Sequence, residues 1–123
     1  MLTQGLIELI LYVEDMAQQV AFYRDILELP ILYPAEQTDY SNEVWVVLAT
    51  GSCKLALHGG GKRRLGEDRP RLVFGVADIH AAHATLLAHG VQLGAIFSAA
   101  PGIWVSHGSD PEGNPIAIEM HES

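Results

Sequence analysis

Positive charge is scarce in this 123-residue chain. Seven lysine and arginine residues stand against fifteen aspartate and glutamate residues, which gives a formal net charge of −8 with histidine neutral. Nucleic acids and anionic membranes are both bound through basic surfaces, so we expect neither to be a partner. A small basic pocket stays compatible with this balance, because the net charge describes the chain as a whole.

Disulfides and long apolar runs are also missing. The single cysteine, Cys53, cannot form a disulfide within the chain, which suits a reducing compartment. The apolar run over residues 6–13 is interrupted by Glu8, is too short to span a bilayer, and lacks the flanks of a secretory signal. We therefore expect a cytoplasmic protein with one domain over residues 1–123.

The chain does contain an internal sequence repeat, and its two copies are 63 positions apart. Residues 7–16 read IELILYVEDM and residues 70–79 read PRLVFGVADI; each is an apolar strand followed by an aspartate suited to begin a helix. These aspartates are Asp15 and Asp78. Apolar side chains at three- and four-residue spacing predict helices over residues 16–29 and 79–89, the second ending at Gly90.

Three strand-like segments follow each predicted helix. They cover residues 29–33, 43–49 and 53–58 in the first repeat, and 91–97, 102–107 and 115–121 in the second. The sequence therefore predicts an α+β fold of two β-α-β-β-β modules, residues 5–61 and 69–121. The connector, HGGGKRRLGEDRP, lacks the spacing of a phosphate-binding P-loop; it is typical of a flexible link, with a mobile lid over an anionic ligand as the alternative.

Three stretches carry a resemblance to a known family. They are LYVEDMAQQVAFYRDILELPI (residues 11–31), LVFGVADIHAAHATLLAHGV (72–91) and DPEGNPIAIE (110–119). With them the chain resembles the vicinal oxygen chelate superfamily, the glyoxalase, bleomycin-resistance and extradiol-dioxygenase group. The resemblance covers nearly the whole chain. It implies an open, barrel-like cleft between curled sheets, and a homodimer whose interface completes or flanks the site.

The resemblance also implies where a metal would be bound. Metal-dependent members place ligands on the first and last strands of each module, and the metal acts as a Lewis acid on vicinal substrate oxygens. These positions fall on Glu8, Lys54, Arg71 and Ala117. Lysine and arginine have no lone pair free at neutral pH, and alanine has no donor atom. We therefore expect no metal and no other cofactor at these positions.

Strand alternation predicts which side chains share the cleft with Glu8. Two cations and one further acid are expected there, with aromatic and imidazole rings beside them. The candidate ligand-binding residues are Arg71, Lys54, Glu119, His58, Tyr12 and Trp104, and the candidate catalytic residue is Glu8.

Three interpretations of these charges stay open. In the first, two acids and two bases neutralise one another and have no function. In the second, Arg71 and Lys54 hold a carboxylate, phosphate or enolate, while Glu8 orients Arg71 or acts as a base. In the third, Glu8, His58, Glu119 and His121 form a displaced metal site. The nearby cations and a shift of about 7–13 Å along the strands disfavour that third interpretation.

The leading hypothesis is a protein that binds a small organic molecule, preferably an anion, without a metal. The alternative is an enzyme of the same superfamily: a lyase or isomerase with Glu8 as base, or a dioxygenase-type enzyme with the displaced metal set. Fold alone does not decide between them, because function depends on the site.

Overall fold

Each sequence repeat folds as a unit of its own in the computed structural model, which describes residues 4, 6–61 and 69–122. Unit 1 is Met1–Arg64 and unit 2 is Leu65–Ser123. Both combine one sheet with one helical segment, so the predicted α+β fold is confirmed. Residues 62–68 of the predicted connector lie outside the described residues.

Unit 1 is a four-stranded sheet crossed by one helical segment. Strand β1 spans Glu8–Val13, helix α1 spans Met16–Val20 and continues as a π-helical segment, Ala21–Ile26, and three strands follow. These are β2 (Ile31–Tyr33), β3 (Trp45–Ala49) and β4 (Lys54–Gly59). The spatial order is β1-β4-β3-β2, with β1 parallel to β4 and the other pairs antiparallel.

Unit 2 repeats this plan with one additional break. It consists of β5 (Leu72–Gly75), α2 (Ile79–Ala88), β6 (Gln92–Leu93), β7 (Phe97–Ala100), β8 (Ile103–Ser109) and β9 (Pro115–His121). The order is β5-β9-β8-β6, and β7 also pairs with β8. The first strand of the unit, β5, is parallel to the last, β9, just as β1 is parallel to β4 in unit 1.

The single strand predicted over residues 91–97 is therefore wrong. Leu93 faces Gly108, but four residues later Phe97 faces Val105, only three residues back along β8. One extra residue is accommodated between β6 and β7, as in a β-bulge, and it interrupts the strand.

Both predicted helix starts are confirmed. The Asp15 carboxylate accepts a hydrogen bond from Gln18 N at 3.0 Å, and that of Asp78 accepts from His80 N and Ala81 N at 3.1 Å. Such N-caps satisfy amides that have no partner within the helix. Gly90, with φ of 80°, follows α2 in the left-handed conformation of a helix-ending glycine.

Arg24 fastens the long β2–β3 connection to the π-helical segment. Its guanidinium bonds to Asp25 at 2.8 Å and to Glu36 at 2.7 Å, and it stacks 5.1 Å from the ring centre of the buried Tyr40. The hydrogen bond to Asp25, with both nearby carboxylates, raises the pKa of Arg24.

Alternation divides each sheet into a helix-side face and an open face. In β4, Leu55 and Leu57 are buried on the helix side, whereas Lys54 and His58 of the other face are exposed. In β5, Leu72 and Phe74 are likewise less exposed than their neighbours. No helix in the described part of the chain is long and apolar enough to cross a membrane.

Candidate functional site

The open face of unit 1 carries three cross-strand rows. Residues that face one another in neighbouring strands point to the same side of a sheet, so the register defines the rows directly. The charged row is Glu8, Lys54 and Ala49; the apolar row is Ile10, Ala56 and Val47; the aromatic row is Tyr12, His58 and Trp45. The structure thus brings four of the predicted site residues, Glu8, Lys54, Tyr12 and His58, onto one face.

The aromatic row places an imidazole between two larger rings. The ring centroids of Tyr12 and His58 are 5.0 Å apart, and those of His58 and Trp45 are 5.9 Å apart in an edge-on arrangement. Tyr12 is 62% exposed. His58 Nδ1 lies 2.8 Å from the carbonyl oxygen of Gly59, which orients the imidazole on the strand. The row is therefore an ordered, accessible aromatic surface.

The charged row lies at the other end of the same strands. Glu8 directly faces Lys54, whose own backbone N–H donates to Ile7 O at 3.0 Å. Within the described residues, however, neither side chain forms a hydrogen bond or ion pair. The Glu8–Lys54 part of the self-neutralising network is thus not formed, and both groups can contact a ligand.

The apolar row connects the two ends. Ile10 is 42% exposed, whereas Ala56 and Val47 are buried. Because His58 lies four positions after Lys54, their Cα atoms lie about 13 Å apart along β4. The face accordingly offers a charged end, an apolar middle and an aromatic end at a spacing that one small organic molecule can cover.

Unit 2 has an open face of its own, with different chemistry. Its register places Val73, Ala117 and His107 in one row, and Gly75, Glu119 and Val105 in the next. The Glu119 carboxylate lies 2.6 Å from His121 Nε2 on the same strand, and the ring of His107 is edge-on to that of Phe97 at 5.2 Å.

Arg71 and Glu119, two members of the expected neutralising network, do not form an ion pair among the described residues. Arg71 immediately precedes β5, whose Leu72 faces Ile116, so Glu119 lies several residues further along the sheet. The Arg71 guanidinium instead approaches the carbonyl oxygen of Ile116 at 3.4 Å, and Glu119 is paired with His121. Arg71 is exposed and keeps most of its donors available.

Trp104 lies on the face opposite to Glu119. It faces Met120 in the β8–β9 register, and its Nε1 donates to Glu122 Oε1 at 2.6 Å. Within unit 2 it therefore does not share a face with the predicted ligand-binding residue Glu119. His107 occupies the open face instead, opposite Ala117, and was missed because only the β8–β9 pairing reveals it.

The DPEGN stretch builds the turn between β8 and β9. The Asp110 carboxylate, 4% exposed, accepts hydrogen bonds from Glu112 N at 2.9 Å, Asn114 N at 2.9 Å and Asn114 Nδ2 at 2.8 Å. Gly113 takes a φ of 83°, and its carbonyl accepts from Arg69 Nη2 at 2.8 Å. These polar groups stabilise the turn, and the turn sets the register of Ala117 and Glu119 in β9.

The described residues contain no group of three or more histidine, cysteine, aspartate or glutamate side chains arranged to hold a metal ion. Glu119 and His121 form a carboxylate–imidazole pair through a single hydrogen bond and would offer a metal ion only two ligands. Three or more converging ligands are needed for a stable zinc or iron site.

Comparisons with known proteins agree with this architecture. A family model described as the Glyoxalase/Bleomycin resistance protein/Dioxygenase superfamily matches residues 5–118. No curated protein matches the chain.

Solved structures with the same fold cover nearly the whole chain. TnmS3, an antibiotic binding protein from Streptomyces sp. CB03234, is 21% identical over 99% of both chains, with a TM-score of 0.77. A lactoylglutathione lyase from Agrobacterium tumefaciens is 18% identical, covering 96% of this chain and 94% of its own, with a TM-score of 0.74. An integron cassette protein from the mobile metagenome of V. cholerae is 22% identical, covering 98% and 97%, with a TM-score of 0.69. At these identities the likeness is one of fold.

Proposed function

The chain belongs to the Glyoxalase/Bleomycin resistance protein/Dioxygenase superfamily, and on this premise we propose that it binds a small organic anion on the open face of unit 1. The observation that carries the proposal is the juxtaposition on one face of an ammonium group, Lys54, with an exposed aromatic row. An antibiotic binding protein and a lactoylglutathione lyase share this fold, so both binding and catalysis are compatible with it, and the proposal rests on the site.

Each row has a distinct part in this proposal. Lys54 holds the anionic group of the ligand through charge-assisted hydrogen bonds, which are about twice as strong as neutral ones. Ile10 and Tyr12 lose exposed apolar area to the ligand's carbon skeleton, at roughly 25 cal/mol for each Å² removed from water. Arg71 is proposed as a second anion-binding residue, on unit 2, which acts independently of Lys54.

We further propose that this binding needs no metal, because the side chains at the family's ligand positions do not fit one. Glu8 is the single carboxylate among them and directly faces a lysine. Ala117 has no donor atom and is 1% exposed, so a metal would find neither a ligand nor room beside it. A cation next to the one carboxylate repels a divalent ion.

Elemental analysis tests the metal-free proposal. The purified protein is incubated with zinc, nickel, manganese or iron(II), desalted and analysed, and we expect no stoichiometric metal. A stoichiometric metal that is lost in Glu8→Ala would overturn the proposal, whereas the same metal retained in that variant would point to other ligands and overturn it equally.

A thermal-shift screen tests the binding site. Small carboxylates and phosphates are screened against the wild type, Lys54→Met, Arg71→Met and Tyr12→Ala, with Leu87→Ala on α2 as the matched loss of an exposed apolar side chain. We expect ligand shifts to fall in Lys54→Met and Tyr12→Ala and to persist in Leu87→Ala. Equal shifts in all variants would reject the open face of unit 1.

Catalysis is the competing proposal, and the position of Glu8 favours it as a second candidate. Its carboxylate faces Lys54, so an acidic C–H or O–H group of a ligand bound at that ammonium lies near a base. Screening hits are incubated with the protein and analysed by mass spectrometry. Turnover that disappears in Glu8→Gln would replace binding with lyase or isomerase activity; unchanged ligands support the binding proposal.

We also propose that the protein acts in the cytoplasm as a homodimer. Large apolar side chains outside the three rows are exposed, with Leu6 at 70%, Ile7 at 66% and Val44 at 70%, and such surface is commonly covered by a partner. Light scattering coupled to size exclusion should give twice the chain mass, and a monomer at micromolar concentration would contradict it.

A further inference from the structure

His58 has its proton position fixed by the backbone. A carbonyl oxygen can only accept, so in the 2.8 Å contact with Gly59 O the Nδ1 atom carries the hydrogen and donates it. In a neutral imidazole the other nitrogen, Nε2, then has a lone pair and is an acceptor. No other hydrogen bond of His58 occurs among the described residues, so this acceptor is open to a ligand.

The setting of His58 determines which ligands can use that acceptor. It lies between the rings of Tyr12 and Trp45, which come from the strands on either side of β4. Aromatic rings favour offset-stacked or edge-on contacts with another flat ring. A planar ligand on this row can therefore present a group from its rim to the imidazole. Toward a neutral imidazole this group must be a donor, because Nε2 then offers only a lone pair.

The other histidine of comparable position differs in this respect. His121 Nε2 is engaged by the Glu119 carboxylate at 2.6 Å. Its partner is already supplied by the protein. Of the two, His58 is the one with a backbone-fixed tautomer, an open acceptor and aromatic neighbours together.

We propose that the aromatic row of unit 1 selects planar aromatic ligands that carry a hydroxyl or N–H group on the ring, and that His58 Nε2 accepts the hydrogen bond from this group. The inference rests on the proposed function and deepens it. Lys54 lies about 13 Å away along β4, so the ligand carries its anionic group at the end opposite to the hydroxyl. Hydroxylated fused-ring carboxylates are the class that meets both requirements.

Three naphthoates separate these requirements. The probes are 6-hydroxy-2-naphthoate, 6-methoxy-2-naphthoate and unsubstituted 2-naphthoate, with affinities measured by calorimetry. We expect the hydroxy compound to bind about tenfold more tightly than the methoxy compound, the ratio for one hydrogen bond of about 1.4 kcal/mol. His58→Phe, which keeps a flat ring without an acceptor, should bind both with equal affinity, and His58→Gln, which restores an acceptor, should recover part of the preference.

A matched variant and a positional readout complete the experiment. His107→Phe makes the same replacement on the open face of unit 2, beside Phe97, and should retain the tenfold preference. The chain has two tryptophans, so in Trp104→Phe the fluorescence comes from Trp45 alone and reports ligand on the aromatic row.

The outcomes distinguish this inference from the function on which it rests. Binding that quenches Trp45 with no hydroxyl preference, or with a preference that survives in His58→Phe, overturns the inference and leaves the binding proposal standing. Failure of all three naphthoates to bind overturns the inference, and it overturns the binding proposal as well only when the thermal-shift screen finds no ligand whose shift depends on Lys54. A preference lost in His58→Phe and kept in His107→Phe supports both.

Discussion

Replacing Asp110 by alanine should destabilise unit 2 severely, because the buried carboxylate organises the β8–β9 turn. It accepts three hydrogen bonds of 2.8–2.9 Å, from Glu112 N, Asn114 N and Asn114 Nδ2. Alanine would remove both acceptor oxygens and break all three hydrogen bonds at once. The donors of Glu112 and Asn114 are only partly exposed, so water cannot replace the carboxylate freely.

The magnitude follows from the nature of these bonds. A hydrogen bond to a charged group contributes about 1.5–3 kcal/mol, and three within one turn are not additive. We expect Asp110→Ala to lower the free energy of unfolding by about 3 kcal/mol, equivalent to a fall in Tm on the order of 10 °C for a chain of this length. Asp110→Asn keeps one acceptor oxygen for the two backbone amides and should cost only about 1 kcal/mol.

Urea denaturation followed by circular dichroism and calorimetry measures both variants. Asp39→Ala is the control, since Asp39 is an exposed aspartate that accepts from a single backbone amide, Ser41 N, and its loss should be much smaller. If Asp110→Ala lowered the free energy of unfolding by less than about 1 kcal/mol, the turn would not depend on this carboxylate and the structural interpretation of DPEGN would be refuted.

Two further predictions concern packing and pH. Gly108→Ala should lower the free energy of unfolding by roughly 3 kcal/mol, because an added Cβ would overlap Gln92 O and lie 2.7 Å from Leu93 Cδ2, which forces β6 away from β8. Gly75→Ala is the control and should be nearly neutral, because nothing lies within 4 Å of its added Cβ. Equal melting temperatures of these two variants would contradict the β6–β8 register. The backbone hydrogen bond from Ser41 lowers the pKa of Asp39, so its stabilising effect is complete above the ordinary aspartate pKa and is lost as pH falls through the lowered value. A carbon NMR titration should find Asp39 below an ordinary aspartate, and an ordinary midpoint would exclude that bond.

Local signals in the sequence were sufficient to predict most helices and strands of the fold. Asp15 and Asp78 begin helices because each cap is a property of a few consecutive residues, and the same holds for Gly90 at the end of α2. The strand over residues 115–121 was predicted with its observed bounds. The break between β6 and β7 was not predictable in the same way, since it depends on how many residues face β8 across the sheet.

The candidate site shows more clearly that local sequence does not predict how strands pair across a sheet. Alternation along β1 and β4 correctly groups Glu8 with Tyr12 and Lys54 with His58, but only the register between those strands shows that Tyr12 meets His58. On β8 and β9 the faces are likewise defined by the pairing between the strands, which places Trp104 on the face opposite to Glu119 and brings His107, which the sequence did not predict as a site residue, onto the open face.

The DPEGN turn explains why a motif can indicate a family without indicating its chemistry. Asp110 and Asn114 use their polar atoms on one another and on the turn's amides, so in this chain the motif stabilises the turn and supplies no part of a metal site. The chemistry depends on the residue three positions later, and Ala117 contributes no donor. Function in this chain therefore has to be inferred from the rows of the open faces, where Lys54 and His58 present groups that the fold itself does not consume.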